Sequence, residues 1–465
     1  MRARFLAAVV GAAAIAAAAQ SAEPSAALKA QAREIYRTIV EMDTSVEGGR
    51  TPEMAKYLAG QFRGGGFDAK DVHVIPINKT ASLVVRYRGD GSGGRPILLL
   101  AHMDVVPAHR EDWERDPFKL IEEKGYFFGR GTEDNKSGIA ALTATFLDLK
   151  SRKFVPRRDL IIVFTGDEET SGASAKSLLK DHRALVDGEF AINSDAGGGQ
   201  LSEDGGKPVV YTMQTAEKTY ASFTLTAVNE GGHSSAPRRD NAIYDIATAL
   251  LRIRKYSFPV MWNDTTIAAF RSIGPVTPGK TGAAMRRFAQ RPGDKRASAV
   301  ISADPFLVGQ IRTTCIPTLL SAGHADNALP QRAVATVNCR IFPGVSIDSV
   351  QAQLRRLAGK SLVVSPLDTY TASDASPLRK DVVAAITAAV HANYPGVRIV
   401  PTMSAGATDG VFFRSAGIPT YGAGELFQKD SDGFAHGLNE RVQVKAFYAG
   451  LTHWRVLIEE LAGPR

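Results

Sequence analysis

Short unbroken apolar runs alternate with helically spaced apolar residues through the first half of the chain. The run from Ile97 to Leu100 contains no polar residue, which is typical of a central strand that is buried on both faces. After Asn135 the apolar residues recur at helical spacing, which predicts a helix. Strands are predicted over the segments VHVIPI, SLVVRYR, PILLLAHMD, DLIIVFTGDEE and EFAINSD. This order of strands and helices predicts an α/β fold with a doubly wound, mostly parallel sheet.

The pattern changes near residue 217, where apolar and polar residues begin to alternate. Half-exposed strands with two amphipathic helices between them are predicted over KTYASFTLTAV, VGQIRTTCIPTLL, RAVATVNCRIF and SLVVSPL. This β-α-β-β-α-β order is typical of a ferredoxin-like α+β domain with helices on one face of its sheet. We therefore expect residues 217–370 to form a domain inserted between residues 23–216 and residues 371–465 of the first domain.

Residues 255–304 interrupt this plan and carry a basic run. Its charged residues are Arg286, Arg287, Arg291, Lys295 and Arg296. One interpretation is that the run attracts an anionic substrate. The favoured interpretation is a solvated basic loop. Aromatic residues do not interleave with these charges, and the net charge of +8 is spread over 465 residues, so nucleic acid is not a predicted partner.

Residues 1–22 are expected to be a secretory signal peptide. The basic start MRAR precedes the apolar run FLAAVVGAAAIAAAA, and cleavage is expected after Ala19 or Ala22. A retained membrane anchor is the alternative, but the run is short for a spanning helix. No later run is long and apolar enough to span a bilayer. We expect an exported protein, periplasmic or secreted, with no membrane span after signal removal.

Acidic and imidazole side chains lie at the end of each predicted central strand. They are His102 and Asp104, then Glu168 and Glu169, then Asp195, and Asp134 begins the helix between the first two strands. Each of them alone would be an ordinary solvated or capping residue. In doubly wound sheets, however, ligands bind beyond the carboxyl ends of the strands. Neutral imidazole and carboxylate are good ligands for zinc, so the set predicts a metal site.

The motifs around these residues resemble the dinuclear zinc peptidases of metallopeptidase family twenty, which includes glutamate carboxypeptidase, aminoacylases and carboxypeptidase S. The matching segments are LLLAHMDVVP (98–107), FGRGTEDNKSG (128–138), FTGDEETSG (164–172), INSDAGG (192–198), EGGHSSAP (230–237), RTTCIPT (312–318), DNALPQRAVATVNCRIFPG (326–344) and FAHGLNERV (434–442). They extend over nearly the whole mature chain, and they are most similar to the carboxypeptidase S branch.

The resemblance implies a catalytic domain that binds two zinc ions. Asp134 would bridge both ions, and a cis peptide bond would join it to Asn135. The remaining ligands would be His102 and Asp195 for one ion, and Glu169 and His436 for the other. Co²⁺ or Mn²⁺ would be substitutes for Zn²⁺. Glu168 would be the general base. Independently of the resemblance, Asp104 lies two residues after His102 and is the nearest carboxylate to hold the His102 ring, or it acts instead through the geometry of the loop.

The inserted domain resembles the lid and dimerisation domain of that family. His233 would stabilise the oxyanion in an active site, often that of a partner subunit. Asn327 and Arg340 would bind the backbone or the carboxylate of the substrate, a role that suits the bidentate fork of arginine. The resemblance makes a homodimer through this domain one alternative, and the sequence leaves the oligomeric state undetermined.

The predicted activity is that of an exported zinc exopeptidase, which cleaves the amide bond next to a free C-terminal carboxylate. An N-acyl-amino-acid amidohydrolase is the alternative, because both substrates carry an amide next to a carboxylate. A non-catalytic solute-binding protein is a remote alternative, and the presence of Glu168 argues against it. The sequence leaves the preferred side chain and the native metal undetermined.

The two cysteines lie on strands that are predicted to form an antiparallel pair. Residue 327, within the connection ADNALPQ, is midway between Cys315 and Cys339, so a symmetric hairpin places them opposite each other. Opposed residues at a non-hydrogen-bonded position have Cα atoms about 4.5 Å apart, which is within reach of a disulfide. The sequence leaves open whether the bridge forms.

Overall fold

The computed structural model describes residues 23–464, so the expected signal peptide lies outside the described residues. Contacts divide the chain into two units. The first unit contains the described residues up to Met213, Leu378–Ile399 and the residues from Thr420 onward, and the second contains Gln214–Pro377 and Val400–Pro419. Residues 400–419, which we expected in the catalytic domain, therefore group with the second unit.

Helices and strands alternate as predicted through most of the chain. Within residues 23–464 the helices are α1 Ala26–Val40, α2 Thr51–Gly64, α3 Lys136–Ser151, α4 Ala173–Asp181, α5 Ala242–Lys255, α6 Asp264–Ile273, α7 Gly279–Gln290, α8 Lys295–Ser302, α9 Ile347–Ala358, α10 Lys380–Asn393, α11 Gly410–Ser415 and α12 Val444–Ala462. The strands are β1 Val72–Ile77, β2 Thr80–Tyr87, β3 Ile97–His102, β4 Ile121–Glu123, β5 Tyr126–Phe128, β6 Leu160–Thr165, β7 Phe190–Asn193, β8 Gly198–Leu201, β9 Pro208–Glu217, β10 Thr219–Val228, β11 Gly232–His233, β12 Thr314–Ala322, β13 Ala328–Leu329, β14 Arg332–Ile341, β15 Leu362–Pro366, β16 Ile399–Ser404, β17 Thr420–Gly422, β18 Phe427–Lys429 and β19 Arg441–Gln443.

A large sheet forms the centre of the first unit. Its strand order is β1-β2-β6-β3-β7-β17-β9-β8-β18, and β16 also pairs with β9. Strand β3 pairs in parallel with β6 and β7, and β7 pairs in parallel with β17, which confirms the predicted α/β class. Every residue of β3 and β6 is buried, as expected for central strands covered on both faces. Among the described residues, every helix is too short or too polar to cross a lipid bilayer.

The second unit contains a four-stranded sheet in the order β12-β14-β10-β15. With α5 and α9 this is the predicted ferredoxin-like arrangement, in which the first strand along the chain, β10, lies in the middle of the sheet. Both helices pack against the sheet, around buried residues such as Phe223, Val337 and Leu354.

Most of the basic stretch 255–304 is helical, so our interpretation of it as a loop was wrong, although its basic residues are exposed as that interpretation expected. Helices α6, α7 and α8 enclose a small core of their own, which includes Phe270 and Phe288. Two of the basic residues are engaged locally. Arg286 donates a hydrogen bond to the carbonyl of Gly274 (2.7 Å), and Arg287 forms an ion pair with Asp294 (2.8 Å).

The two cysteines form a disulfide that joins β12 to β14. Cys315 lies opposite Cys339 in the antiparallel register, with the Cα atoms 4.1 Å apart. This confirms the predicted pairing and answers the question that the sequence left open. The register shifts by one residue only after Pro317, beyond the cysteine pair.

We expect the disulfide to stabilise the second unit substantially. Its partners are 24 residues apart, so in the loop-entropy description its removal should lower the free energy of unfolding by about 3 kcal/mol. Denaturant unfolding of the double variant Cys315→Ala/Cys339→Ala tests this, with the exposed neighbour Thr318→Ala as control. Reductant should destabilise the wild type and leave the double variant unchanged. Equal unfolding midpoints with and without reductant would contradict the prediction.

Candidate metal centre

Three neighbouring parallel strands bring the predicted ligands to one edge of the sheet. Strands β6, β3 and β7 lie side by side and run in the same direction. His102 is the last residue of β3, Glu168 and Glu169 follow β6, and Asp195 follows β7. Because the carboxyl ends of parallel strands share one edge, these side chains converge.

Two loops deliver the remaining predicted ligands. Asp134 directly precedes the N-cap residue of α3, and its peptide bond to Asn135 is cis, as the family resemblance implied. His436 lies between β18 and β19 with a φ of 64°, a left-handed conformation that is uncommon for residues other than glycine.

The ligands form two groups that share Asp134. His102, Asp134 and Asp195 place one ligand atom each within 4.8 Å of one another, and so do Asp134, Glu169 and His436. The two oxygens of Asp134 point in different directions. Its Oδ1 lies 2.8 Å from His102 Nε2, and its Oδ2 lies 3.2 Å from His436 Nε2. This is the arrangement that a carboxylate needs in order to bridge two cations.

The orientation of His102 leaves one ring nitrogen free for a metal. Its Nδ1 donates to the main-chain carbonyl of Asp104 (3.0 Å), because a carbonyl can only accept. In the neutral ring the lone pair is therefore on Nε2, which faces Asp134 and Asp195.

Asp104 holds the ring through its main-chain carbonyl, and its carboxylate acts on the loop, which is the alternative that the sequence left open. Its carboxylate oxygen Oδ1 is 3.6 Å from His102 Nδ1, and the carboxylate instead accepts hydrogen bonds from the amides of Glu168 (3.1 Å) and Glu169 (3.0 Å). The carbonyl therefore orients the imidazole, while the carboxylate fixes the turn that carries the two glutamates.

The electrostatics of the cluster favour a bound cation. Burial lowers the pKa of His102, but Asp195, Asp104 and Asp134 outweigh that effect and raise the pKa well above its ordinary value. Hydrogen bonds to Asp134 and Glu169 raise the pKa of His436 to about 10. Carboxylates that hold protons on two imidazoles would hold metal ions in their place, so the residues fit a dinuclear metal site.

A buried ion pair that the sequence analysis missed connects the two ligand loops. Arg130 donates to Glu440 (2.6 Å), and the two side chains are 3% and 0% exposed. Arg130 also donates to the carbonyl of Gly437 (3.2 Å), next to His436. The sequence contained one signal for this pair. Arg130 and Glu440 both lie inside motifs that match the family, and a buried charge needs a partner of opposite sign.

Glu440 also holds the backbone that carries the bridging ligand. Its carboxylate accepts from the amides of Gly131 (2.9 Å), Glu133 (2.7 Å) and Asp134 (3.1 Å). Burial raises the pKa of Glu440 to about 7, although Arg130 opposes the shift. Glu440 is therefore a positioning residue for Asp134.

Asp167 is a second missed positioning residue. Its carboxylate accepts from the amides of Ala173 (2.7 Å) and Ser174 (2.9 Å) at the start of α4, and from the Ser171 hydroxyl (2.5 Å). These bonds close the turn that contains Glu168 and Glu169.

The other three predicted site residues belong to the second unit. His233 on β11 pairs with Ala328 on β13, and the amide of Ser234 donates to the carbonyl of Asn327 (3.0 Å), so His233 and Asn327 lie in one local structure. Both side chains are exposed, and none of the three candidate metal-binding groups among the described residues includes His233.

Arg340 lies on β14, which is not one of the two short strands, β11 and β13, beside His233 and Asn327. Its guanidinium is 4.8 Å from the centre of the Tyr220 ring and donates to the carbonyl of Ala405. These contacts fix the planar fork from one side.

We expect Glu440→Gln to weaken metal binding although Glu440 belongs to none of the candidate ligand groups among the described residues. An amide would present N–H groups to Arg130 or to the loop amides, so the loop of Asp134 would shift. Loss of a supporting contact of this kind typically costs about 10–100-fold in metal affinity. Competition with a chelating dye measures it, and Glu122→Gln, in the exposed ion pair with Arg33, is the control. Unchanged affinity in Glu440→Gln would show that the loop holds Asp134 without this carboxylate.

Metal binding should release protons. The pKa of His102 is raised well above its ordinary value and that of His436 is raised to about 10, which favours the protonated form of both rings in the metal-free protein. A metal binds neutral imidazole, so about two protons should leave per protein molecule. Calorimetric titration with Zn²⁺ in buffers of different ionisation enthalpy counts them, and His436→Ala should release fewer. A heat of binding that is independent of the buffer would contradict this prediction.

The sequence matches peptidase family M20/M25/M40 over residues 98–460. The human N-fatty-acyl-amino acid synthase/hydrolase is 30% identical over 77% of this chain and 73% of that protein. The probable carboxypeptidase S-like 2 of Dictyostelium discoideum is 26% identical over 79% of this chain and 72% of that protein.

The fold is also that of solved members of the family. The M20 family metallo-carboxypeptidase from Sulfolobus solfataricus superposes with a TM-score of 0.67 at 18% identity, covering 93% of this chain and 99% of that one. Together with the extent of the sequence match, this shows that the chain belongs to peptidase family M20/M25/M40 and is a hydrolase of that family.

Proposed function

We propose that the protein is a dinuclear zinc amidohydrolase that cleaves the amide bond between an acyl group and an amino acid with a free carboxylate. The observation that carries this proposal is the shared position of Asp134 in two ligand groups, with Glu168 next to them. Two of the ligand positions are occupied by imidazole and three by carboxylate, a set that suits zinc. Co²⁺ and Mn²⁺ would be substitutes.

The position of Glu168 supports its proposed role as general base. Its carboxylate lies within 4.8 Å of ligand atoms of His102 and Glu169, and its amide is held by Asp104. Bound metal ions polarise the amide carbonyl and lower the pKa of water. Glu168 would take a proton from the attacking water and return it to the leaving nitrogen of the amino acid.

Residues of the second unit would select the carboxylate end of the substrate. The guanidinium of Arg340 has a planar fork that suits a carboxylate, and Asn327 offers an amide. His233 would stabilise the oxyanion. These roles come from the family resemblance of the motifs that contain the three residues.

The relatives favour an acyl amino acid over a peptide as the substrate. The human, bovine, frog and mouse relatives are named N-fatty-acyl-amino acid synthase/hydrolase. The carboxypeptidase that the sequence analysis ranked first is the second candidate, and the carboxypeptidase S-like relatives favour it. Both substrates contain an amide next to a carboxylate, so the same cluster serves either one.

We also propose that the protein is exported. The apolar segment within residues 1–22 supports this, and so does the disulfide between Cys315 and Cys339, because disulfides persist in oxidising compartments.

A substrate screen tests the function. Zinc-loaded enzyme is incubated with N-acyl amino acids of two to sixteen acyl carbons and with dipeptides, and the products are identified by mass spectrometry. We expect release of free amino acid from the acyl substrates, and none from their methyl esters, which lack the carboxylate. Cleavage of dipeptides alone would replace the proposal with the carboxypeptidase, and cleavage of neither class would reject both.

Glu168→Ala should abolish turnover while the metal stays bound. Loss of a proton shuttle typically costs about 10²–10⁴-fold in kcat. Metal content by atomic emission and thermal unfolding should match those of the wild type. The matched control is the exposed Glu122→Ala. If metal content falls together with activity, Glu168 is a ligand and the assignment of Glu169 is wrong.

His233→Ala should lower kcat by about 10²–10³-fold without changing metal affinity, because it removes an oxyanion donor and no ligand.

We propose a homodimer through the second unit, in which β12 is an edge strand with exposed Leu319 and Leu320. Mixing His233→Ala with Glu168→Ala protein under subunit exchange should then restore activity. Persistent inactivity would mean that each chain supplies its own histidine.

A further inference from the structure

Two positive side chains of the second unit lie next to each other at one end of its four-stranded sheet. Arg340 on β14 pairs with Tyr220 of β10 on one side and with Thr314 of β12 on the other. Lys218 directly precedes β10, and its ammonium donates to the carbonyl of Arg312 (2.7 Å), two residues before Thr314. The Lys218 side chain therefore passes from the β10 side of β14 toward the β12 side, close to Arg340.

One short segment of the same unit binds both residues. The amide of Lys218 donates to the carbonyl of Ser404 (2.9 Å), and the guanidinium of Arg340 donates to the carbonyl of Ala405. Because these two carbonyls are consecutive in the chain, they hold Lys218 and Arg340 as neighbours.

No acidic side chain offsets these two charges. Within residues 23–464 neither Lys218 nor Arg340 forms an ion pair. The acidic neighbour in the chain, Glu217, is engaged by Arg414 and by the hydroxyl of Thr408. Lys218 is only 3% exposed, and a buried charge is costly without a partner of opposite sign. A bound anion would supply that partner.

The surroundings of Lys218 make its charge responsive to such an anion. Burial and the charge of Arg340 lower the pKa of Lys218 to about 7. Residues 308–310, which lie against its ammonium, include no titratable side chain, and the guanidinium of Arg312 donates to two neutral oxygens. A carboxylate at Arg340 would raise the pKa of Lys218 by attraction, so binding of the carboxylate would favour the charged ammonium.

We propose that Lys218 is the second cation of the carboxylate site at Arg340, where it acts as a positioning residue for the charged end of the substrate. Arg340 makes the direct contact, and Lys218 adds positive potential from the buried side. This inference rests on the proposed function, in which Arg340 binds the substrate carboxylate. It assigns to Lys218 a part in selecting a charged terminus over a neutral one.

Calorimetric binding of N-octanoylglycine and of its neutral carboxamide measures this contribution. The zinc-loaded full chain carries Glu168→Ala, so that neither ligand is turned over. The acid binds more tightly while Lys218 is protonated, so its Kd should rise about tenfold from pH 6.5 to pH 9. The Kd of the carboxamide should stay constant. A Kd of the acid that does not change with pH would overturn the proposal, and this measurement needs no variant of Lys218.

Lys218→Met removes the charge and keeps the length of the side chain. In the same Glu168→Ala background it should weaken the acid about tenfold at pH 6.5 and hardly at pH 9, with carboxamide binding and zinc content unchanged. Lys360→Met, which removes an exposed lysine of the same unit, is the control and should change neither ligand. Equal weakening of the acid and the carboxamide would mean that Lys218 only supports the fold through the carbonyl of Arg312.

Arg340→Met distinguishes failure of this inference from failure of the proposed function. If Arg340→Met weakens the acid and Lys218→Met does not, only the role of Lys218 is wrong. If Arg340→Met leaves the acid unchanged, the carboxylate binds elsewhere and the proposed role of Arg340 fails as well. If the protein does not bind the acid at all, both are rejected.

Discussion

The buried ion pair between Arg130 and Glu440 is the interaction on which the metal centre depends. Two charges that are nearly inaccessible to solvent are costly unless they pair with each other and the carboxylate oxygens accept further hydrogen bonds. Glu440 meets that condition through Arg130 and three backbone amides of one loop. Because Arg130 also contacts the carbonyls of the His436 loop, one pair joins segments about 300 residues apart in the chain. The contacts of one buried ion pair therefore hold the loop of Asp134 and the loop of His436 next to each other.

The two halves of the cluster rest on supports of different rigidity. His102 is the last residue of one central parallel strand and Asp195 follows another, and the side chains are 1% and 14% exposed. The other half depends on His436, which is 53% exposed and lies in a loop. Strand ends are fixed by the hydrogen bonds of the sheet, whereas a loop is fixed by its few side-chain contacts. The half that contains His436 should therefore exchange its ion more readily, and Arg130 limits that exchange by holding the loop.

The sequence predicted those parts of the structure that local pattern determines. Strand β1 has the predicted bounds, and the cysteines lie opposite each other because one hairpin sets their register. The helices within residues 255–304 were missed. Their core residues, such as Phe270 and Phe288, pack mainly against one another, and glycines and arginines lie between them in the sequence. The partner of Glu440 lies far away in sequence, so no local pattern shows it. The role of the Asp104 carbonyl was missed because a residue type carries no information about its main-chain contacts.

Folding and metal binding should be coupled through the charges of the cluster. Five carboxylates, those of Asp104, Asp134, Glu168, Glu169 and Asp195, surround two imidazoles within a partly buried site. Without a cation their mutual repulsion opposes the folded state, and the protons that His102 and His436 retain are the available compensation. Metal ions carry more charge than those protons and bind only the folded arrangement, so they stabilise the fold by mass action. The negative charge of the carboxylates, which the site would need for catalysis, is thus offset by the metal ions that the site would bind.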